Sequence, residues 1–291
     1  MTPARALAGL SGRTLRYAEV TPGPDGPRLR RLGAADFDLD AEAAVFETGD
    51  PAALEAVAEA LVDGLGGTAA ETLVVAAHPT ATTSFFSRLP ADLDAADRDG
   101  QLRQETALLA DLAPTQAVRV RAHPVRTEPT SGGDRAWYHV VHVAEPVHAR
   151  LSLLADALGV GGYDVADSTR AAAAVTPAAG LALVVGAFAG HTEVAVVRDG
   201  TFLFGTHGPS TAPADTAYFA LAALQQAGTA PPDVGALLVY GDDATPDRLG
   251  LTAEFAGRPA VPLDPFGPFQ RRPDADPAEL AAFAPVLGAA L

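Results

Sequence analysis

Two periods of apolar residues trade places along the chain, one of two and one of about 3.6. Residues 15–20 mix β-branched, aromatic and polar side chains as a strand does. The cluster Pro22-Gly23-Pro24-Asp25-Gly26-Pro27 turns the chain, and residues 28–32 return as the second strand of a hairpin. Asp36, Asp38 and Asp40 then mark a loop or an edge strand. A helix follows with clear punctuation. Asp50 is a good N-cap and Pro51 suits the first helical position, where its missing N–H costs nothing. Leu54, Val57, Ala58, Leu61 and Val62 share one face, and Gly64, Gly66 and Gly67 end the run. Residues 72–77 are continuously apolar, as in a strand buried on both faces, and His78-Pro79 stops them.

Residues 80–161 read as an inserted α+β unit. Phe85, Phe86 and Leu89 lead to Pro90, and residues 94–112 form a helix whose apolar positions are Leu102, Leu108, Leu109 and Leu112. Residues 118–125 alternate like a half-exposed strand. Ser131-Gly132-Gly133-Asp134 is a turn, and residues 137–143 form another strand. A helix beginning at Pro146 carries Leu151, Leu154, Ala155 and Leu158, and Gly159 stops it. This reading gives three parts: residues 1–79, the insertion 80–161, and residues 162–291.

The last part restarts the first pattern. Residues 181–188 are apolar, residues 193–197 and 201–204 flank Asp199-Gly200 as a hairpin, and residues 214–227 are helical. A buried strand over 234–240 follows, then a helix opened by Thr245-Pro246, and residues 259–263 close the sheet. One short helix is expected within 278–291. Gly9-Leu10-Ser11-Gly12-Arg13-Thr14 and Gly186-Ala187-Phe188-Ala189-Gly190-His191-Thr192 are both small-residue hairpin tips leading into strands, and the same elements follow each.

Two halves of this kind resemble the duplicated, ribonuclease H-like α/β core of the actin, Hsp70 and sugar-kinase superfamily. The order of elements over residues 7–269 resembles PilM-like proteins, the actin-like assembly components of type IV pili, and their relatives in type II secretion and cell division. Leu89-Pro90 before a helix containing Glu105 matches the entry to the small subdomain of those proteins. Tyr163-Asp164-Val165-Ala166-Asp167 before residues 171–175 matches the return to the core. The resemblance implies a cytoplasmic scaffold, at most peripheral to a membrane. Its expected partner is a short peptide from an inner-membrane assembly protein, received in a groove where the chain enters the subdomain. Phe85, Phe86 and Leu89 are the candidate anchors there, their other role being subdomain core.

Relatives in this superfamily grip phosphate with hairpin tips of the form Asp-x-Gly-x-x-x-Thr. Aligned on Thr192 and Thr14 or on the strands after them, with the first tip one residue shorter, the Asp positions hold Gly9 and Gly186, and the Gly positions hold Ser11 and Phe188. The adenosine-side Gly-Gly is here Gly241-Asp242, which sets an acid beside a polyanion. The expectation is a vestigial pocket, no catalytic residue, no cofactor and no ATPase activity. In the structural reading these glycines serve turns. Two alternatives stay open: an ATP-binding actin-like protein, and a sugar or acyl kinase whose base would come from Asp164, Asp167 or Asp242.

Composition changes the picture in few places. A net charge of −16 and the absence of a basic stripe argue against nucleic acid and anionic lipid as partners. With no Cys, disulfides and thiolate chemistry are excluded. Residues 1–10 hold one Arg and a short interrupted apolar stretch, which does not read as a secretory signal. The uncharged run 171–190 is cut by Pro177 and Gly180 and reads as a helix end, a turn and a strand. His139 and His142, three apart on a strand, point to opposite faces, so no metal site is expected from them. His78 and His123, each before a Pro, are expected in loops, and Asp242-Asp243, Asp274 and Asp276 as solvated acids.

Overall fold

The computed structural model describes residues 3–113, 118–177, 179–270 and 272–291. Met1, in the opening stretch above, and Ala178, in the uncharged run, lie outside them. The chain begins with the strands β1 (Arg5–Ser11), β2 (Thr14–Thr21) and β3 (Arg28–Asp36). A short helical turn, α1 (Ala41–Ala43), continues as a π-helical turn, Ala44–Thr48, and leads to α2 (Pro51–Leu65) and β4 (Thr72–Ala77). Next come β5 (Thr83–Pro90), α3 (Ala95–Leu109), β6 (Val120–Glu128), β7 (Arg135–His142), α4 (Glu145–Leu158), β8 (Tyr163–Asp167) and α5 (Ser168–Ala174). The remainder is β9 (Leu181–Ala187), β10 (His191–Arg198), β11 (Thr201–Pro209), α6 (Pro213–Gln226), β12 (Ala236–Tyr240), α7 (Pro246–Ala256), β13 (Ala260–Pro262), α8 (Pro277–Ala281) and α9 (Ala284–Gly288).

Two five-stranded sheets have the same topology. One is ordered β3-β2-β1-β4-β8, the other β11-β10-β9-β12-β13. In each, tight turns join three antiparallel strands, and two further strands run parallel after helical crossovers. The first half spends its last crossover on β5 to α4, the second on α7 alone.

Strand alternation sorts the core into layers. Ala6, Ala8 and Leu10 of β1, with Leu73 and Val75 of β4, face outward onto α2 (Val57, Leu61, Leu65) and α4 (Leu151, Leu154, Leu158). Leu7 and Val74 face the other way, onto α5 and α9. From the second sheet, Ala182, Val184, Ala195 and Val197 reach this same central layer. Leu183, Val185, Val194 and Val196 face α6 and α7 instead. The order is therefore helices, sheet, α5 with α9, sheet, helices. The central layer is thin because its helices approach closely. A Cβ on Gly288 would lie 1.8 Å from the Ala171 carbonyl oxygen.

The third sheet, β5-β7-β6, is antiparallel and covered by α3, with Leu89, Leu102 and Val140 as its buried core. Three expectations need correction. The helix α4, read as part of the insertion, packs on α2 and belongs to the first core, because its Leu stripe matches that surface. Leu108 and Leu109 are exposed, and α3 buries only Leu102 and Thr106. Residues 278–291 form two short helices rather than one, with a buried kink between them at Phe283-Ala284-Pro285. β1 was also not anticipated as a strand. Among the described residues, no helix is long and apolar enough to cross a membrane.

Candidate functional site

Strand register makes the two halves superposable residue by residue. Gly9 pairs with Arg16 on β2 and with Ala76 on β4. Gly186 pairs with Glu193 on β10 and with Tyr240 on β12. Arg16 is therefore the counterpart of Glu193, Ser11 of Phe188, and His78, two residues beyond Ala76, of Asp242, two residues beyond Tyr240. These residues meet across the cleft in a reciprocal pattern. Arg16 of the first half forms an ion pair with Asp242 of the second, and Glu193 of the second half forms one with His78 of the first. Ser11 donates to Asp242 at 2.9 Å, while its counterpart Phe188 lies edge-on to the His78 ring, 4.5 Å between centroids.

The two pairs differ in solvation. Glu193 is completely buried, and both its oxygens are in use. Oε1 faces Nδ1 of His78 and lies 3.4 Å from Nε2 of His191. Oε2 accepts from the Ser168 and Tyr240 hydroxyls at 2.8 Å each and from Thr169 at 3.3 Å. Burial works against a charged His78, but the Glu193 carboxylate overrides it and lifts the imidazole to about 9. Burial likewise opposes a charged Glu193, and the His78 and His191 rings more than compensate, driving its pKa well below the usual carboxylate range. Asp242 is much more open to solvent, with a side chain 40% exposed. Asp242→Ala should therefore cost under about 1 kcal/mol in urea unfolding, as solvated pairs do.

The sequence-derived pocket positions lie on this seam, and most are spent on internal contacts. A Cβ on Gly9 would meet Val286 of α9 at 2.7 Å, and one on Gly186 would meet the Tyr240 ring. Gly241 has φ +97° and passes 2.4 Å from the Ala187 carbonyl, counted from an added Cβ, so turn and contact both demand glycine there. Thr192 is buried and donates to the Gly186 carbonyl at 2.9 Å, while Thr14 donates to Asp36 at 2.7 Å. Phe188 is buried between the His78 and His191 rings and Tyr240. On the open side of the seam, a cavity of ≈ 590 Å³ touches Arg16, Gly241, Asp242 and Phe283.

His78 is not the loop histidine expected from His-Pro, but a buried cation. Nδ1 or Nε2 of His78 and His191 and an oxygen of Glu193 lie within 4.8 Å of one another, a spacing that would serve a divalent metal only with His78 deprotonated. Sequence reading looked for such convergence at His139 and His142 and missed it. In the structure these atoms bond one another. A lone acid in the apolar run of β10 was the available signal, since a buried carboxylate requires partners. Of the other acids, Asp164 pairs with Arg121, and Asp167 caps α5.

The three candidate groove residues divide by strand alternation. Leu89 is buried in the core of the third sheet with Phe85 packed against it. Phe86 points oppositely, stacking on Phe204 of β11 at 4.6 Å. They do not form one groove. A separate hollow of ≈ 250 Å³ lies between β6 and β8, touching Val120, Arg121, Val141, Tyr163 and Val165.

No protein-family model matches the chain, and no curated protein matches it in sequence. Its structure is similar to a chain of a PilM–PilN type IV pilus biogenesis complex, with a TM-score of 0.67, 16% identity, and coverage of 98% of this chain and 97% of that one. It is also similar to a Bacteroides thetaiotaomicron protein of unknown function with an actin-like ATPase fold, with a TM-score of 0.51, 9% identity, and coverage of 89% and 90%. At these identities the likeness is one of fold, and the chain has the actin-like ATPase fold.

Proposed function

We propose that this chain is a nucleotide-independent cytoplasmic scaffold that holds a segment of a membrane-anchored assembly protein. The observation that carries this reading is the occupied seam between the halves. Where relatives of this fold leave room for phosphate, this chain places Phe188, a buried His78–Glu193 pair and the Arg16–Asp242 pair. A nucleoside triphosphate would have to displace them or lie in the ≈ 590 Å³ cavity beside them, against the Asp242 carboxylate. The buried pair holds the halves together from within, a role that bound nucleotide can serve elsewhere in this fold.

A rigid body of this kind works by presenting surfaces. The hollow between β6 and β8 is the better candidate for a peptide than the expected anchors. Both strands are sheet edges, so an extended segment could add its backbone hydrogen bonds there. The likeness to a chain from a PilM–PilN complex supports a protein partner. On this reading the partner offers a short cytoplasmic tail.

Isothermal titration with ATP and Mg²⁺, at low and high salt, tests the reading. The expected result is no heat at millimolar nucleotide and no phosphate release. Saturable magnesium-dependent binding would overturn it in favour of an ATP-binding actin-like protein.

A further inference from the structure

A second cavity, of ≈ 320 Å³, lies between the third sheet and β11, and shares Thr169, a donor to Glu193, with the buried seam pair. Its walls include Phe86, Trp137, Phe202 and Phe204, and its floor includes His139 and Asp167. The aromatic rings are mutually packed, Phe86 lying 4.6 Å from Phe204 and 5.8 Å from Phe202. The two polar residues are more than nine-tenths buried, at 3% and 4% exposure. Each leaves one atom without a hydrogen-bond partner, Nδ1 of His139 and Oδ2 of Asp167.

Such orphans are costly in a protein interior, and they concentrate where a ligand completes them. The other atoms of both residues are engaged. Oδ1 of Asp167 accepts from the Arg170 backbone N–H at 2.9 Å, and Nε2 of His139 lies 2.8 Å from the Ser84 hydroxyl. Burial lowers the pKa of His139, which favours its neutral ring, 3.9 Å from Oδ2 of Asp167. Arg170 acts on both residues through space. Oδ2 of Asp167, without a hydrogen-bond partner, calls for a donor, and the aromatic walls favour a cationic one. The volume suits a small molecule.

We propose that this cavity binds a small organic cation, an ammonium or guanidinium compound. Its charged head sits at Oδ2 of Asp167 beside His139, and its apolar body lies against Phe86, Phe202 and Phe204.

Trp137 is the only tryptophan of the chain and lines the cavity, so its fluorescence reports occupancy. The probes are choline, agmatine and the neutral carbon isostere of choline, at fixed ionic strength. At least one cation should give a saturable change, with the neutral isostere about tenfold weaker or more. Asp167→Asn retains an oxygen for the Arg170 cap and should weaken cation binding about tenfold with an unchanged melting temperature. Phe204→Leu is the second variant should Asp167→Asn not fold, and it should weaken cation binding in the same way. Equal response to choline and its isostere overturns the proposal. So does no response to either cation at about 10 mM, which would leave the cavity to water.

Discussion

Replacing Glu193 by alanine is expected to lower the thermal midpoint by about 10 °C, the largest effect of any single side-chain removal on the seam. The reason is the number of groups left stranded. His78 loses its counterion inside the protein, and the Ser168, Thr169 and Tyr240 hydroxyls lose their acceptor. Breaking one partner out of a buried pair costs about 3–5 kcal/mol. The pH dependence identifies the cause. His78 holds its proton more tightly in the folded state, so its stabilisation is complete below about 6.5 and drains away as pH rises through about 9. Glu193 is displaced the other way, so its contribution is present above 4.5 and is lost only on acidification below that value. Wild-type stability should therefore decline from pH 6.5 to 9. In Glu193→Gln burial, opposed only through space by Glu42 and Asp242, is the largest influence left on His78 and favours the neutral ring, so the variant should gain stability as pH rises from about 5 to 7. Equal slopes in wild type and variant, measured by differential scanning calorimetry, would show that the pair is not ionised.

Gly288→Val is expected to be the second most damaging change, at about 3 kcal/mol. The added carbon would meet main chain, the Ala171 carbonyl at 1.8 Å, rather than a side chain that can swing aside. The two short helices α5 and α9 can separate only by opening the central layer, which holds Leu7, Val74, Val184 and Val286. Gly190→Ala is the control, since nothing lies within 4 Å of a Cβ there. Urea midpoints at constant slope measure both. A midpoint shift for Gly288→Val no larger than the control's would mean that the C-terminal segment is not clamped against α5.

Punctuation made much of the core legible. Asp50-Pro51 and Thr245-Pro246 start α2 and α7, and Asp199-Gly200, both at positive φ, turns β10 into β11. The continuous apolar run over β4 was equally plain. β1 was not, because its Ala and Gly give no alternation by type even though Leu7 and Ala8 face opposite layers. The boundary after the third sheet was lost for another reason. The Leu stripe of α4 states that the helix packs, but not on which surface. The seam was half visible. The positions Gly9, Ser11, Gly186, Phe188 and Asp242 were found by aligning tips, but their bonding was not, since His78 and Glu193 are 115 residues apart in sequence and meet only when the halves dock. The cavity at Asp167 was hidden similarly, because β5, β7, β11 and the junction of β8 with α5 supply most of it from separate places in the chain.

The reciprocal seam has a further property, which lies in its signs. Both cations, Arg16 and His78, come from the first half, and both carboxylates, Glu193 and Asp242, come from the second. Because the halves share one topology, each could in principle dock on a copy of itself in the same geometry. Such a docking would set Arg16 against His78, with no carboxylate for either, in one case and Glu193 against Asp242, like charge against like, in the other. While the chain is being made, the first half emerges before its mate exists and meets first halves of neighbouring chains. The sign arrangement gives those encounters no ion pair and leaves the correct, later-arriving half as the favoured match.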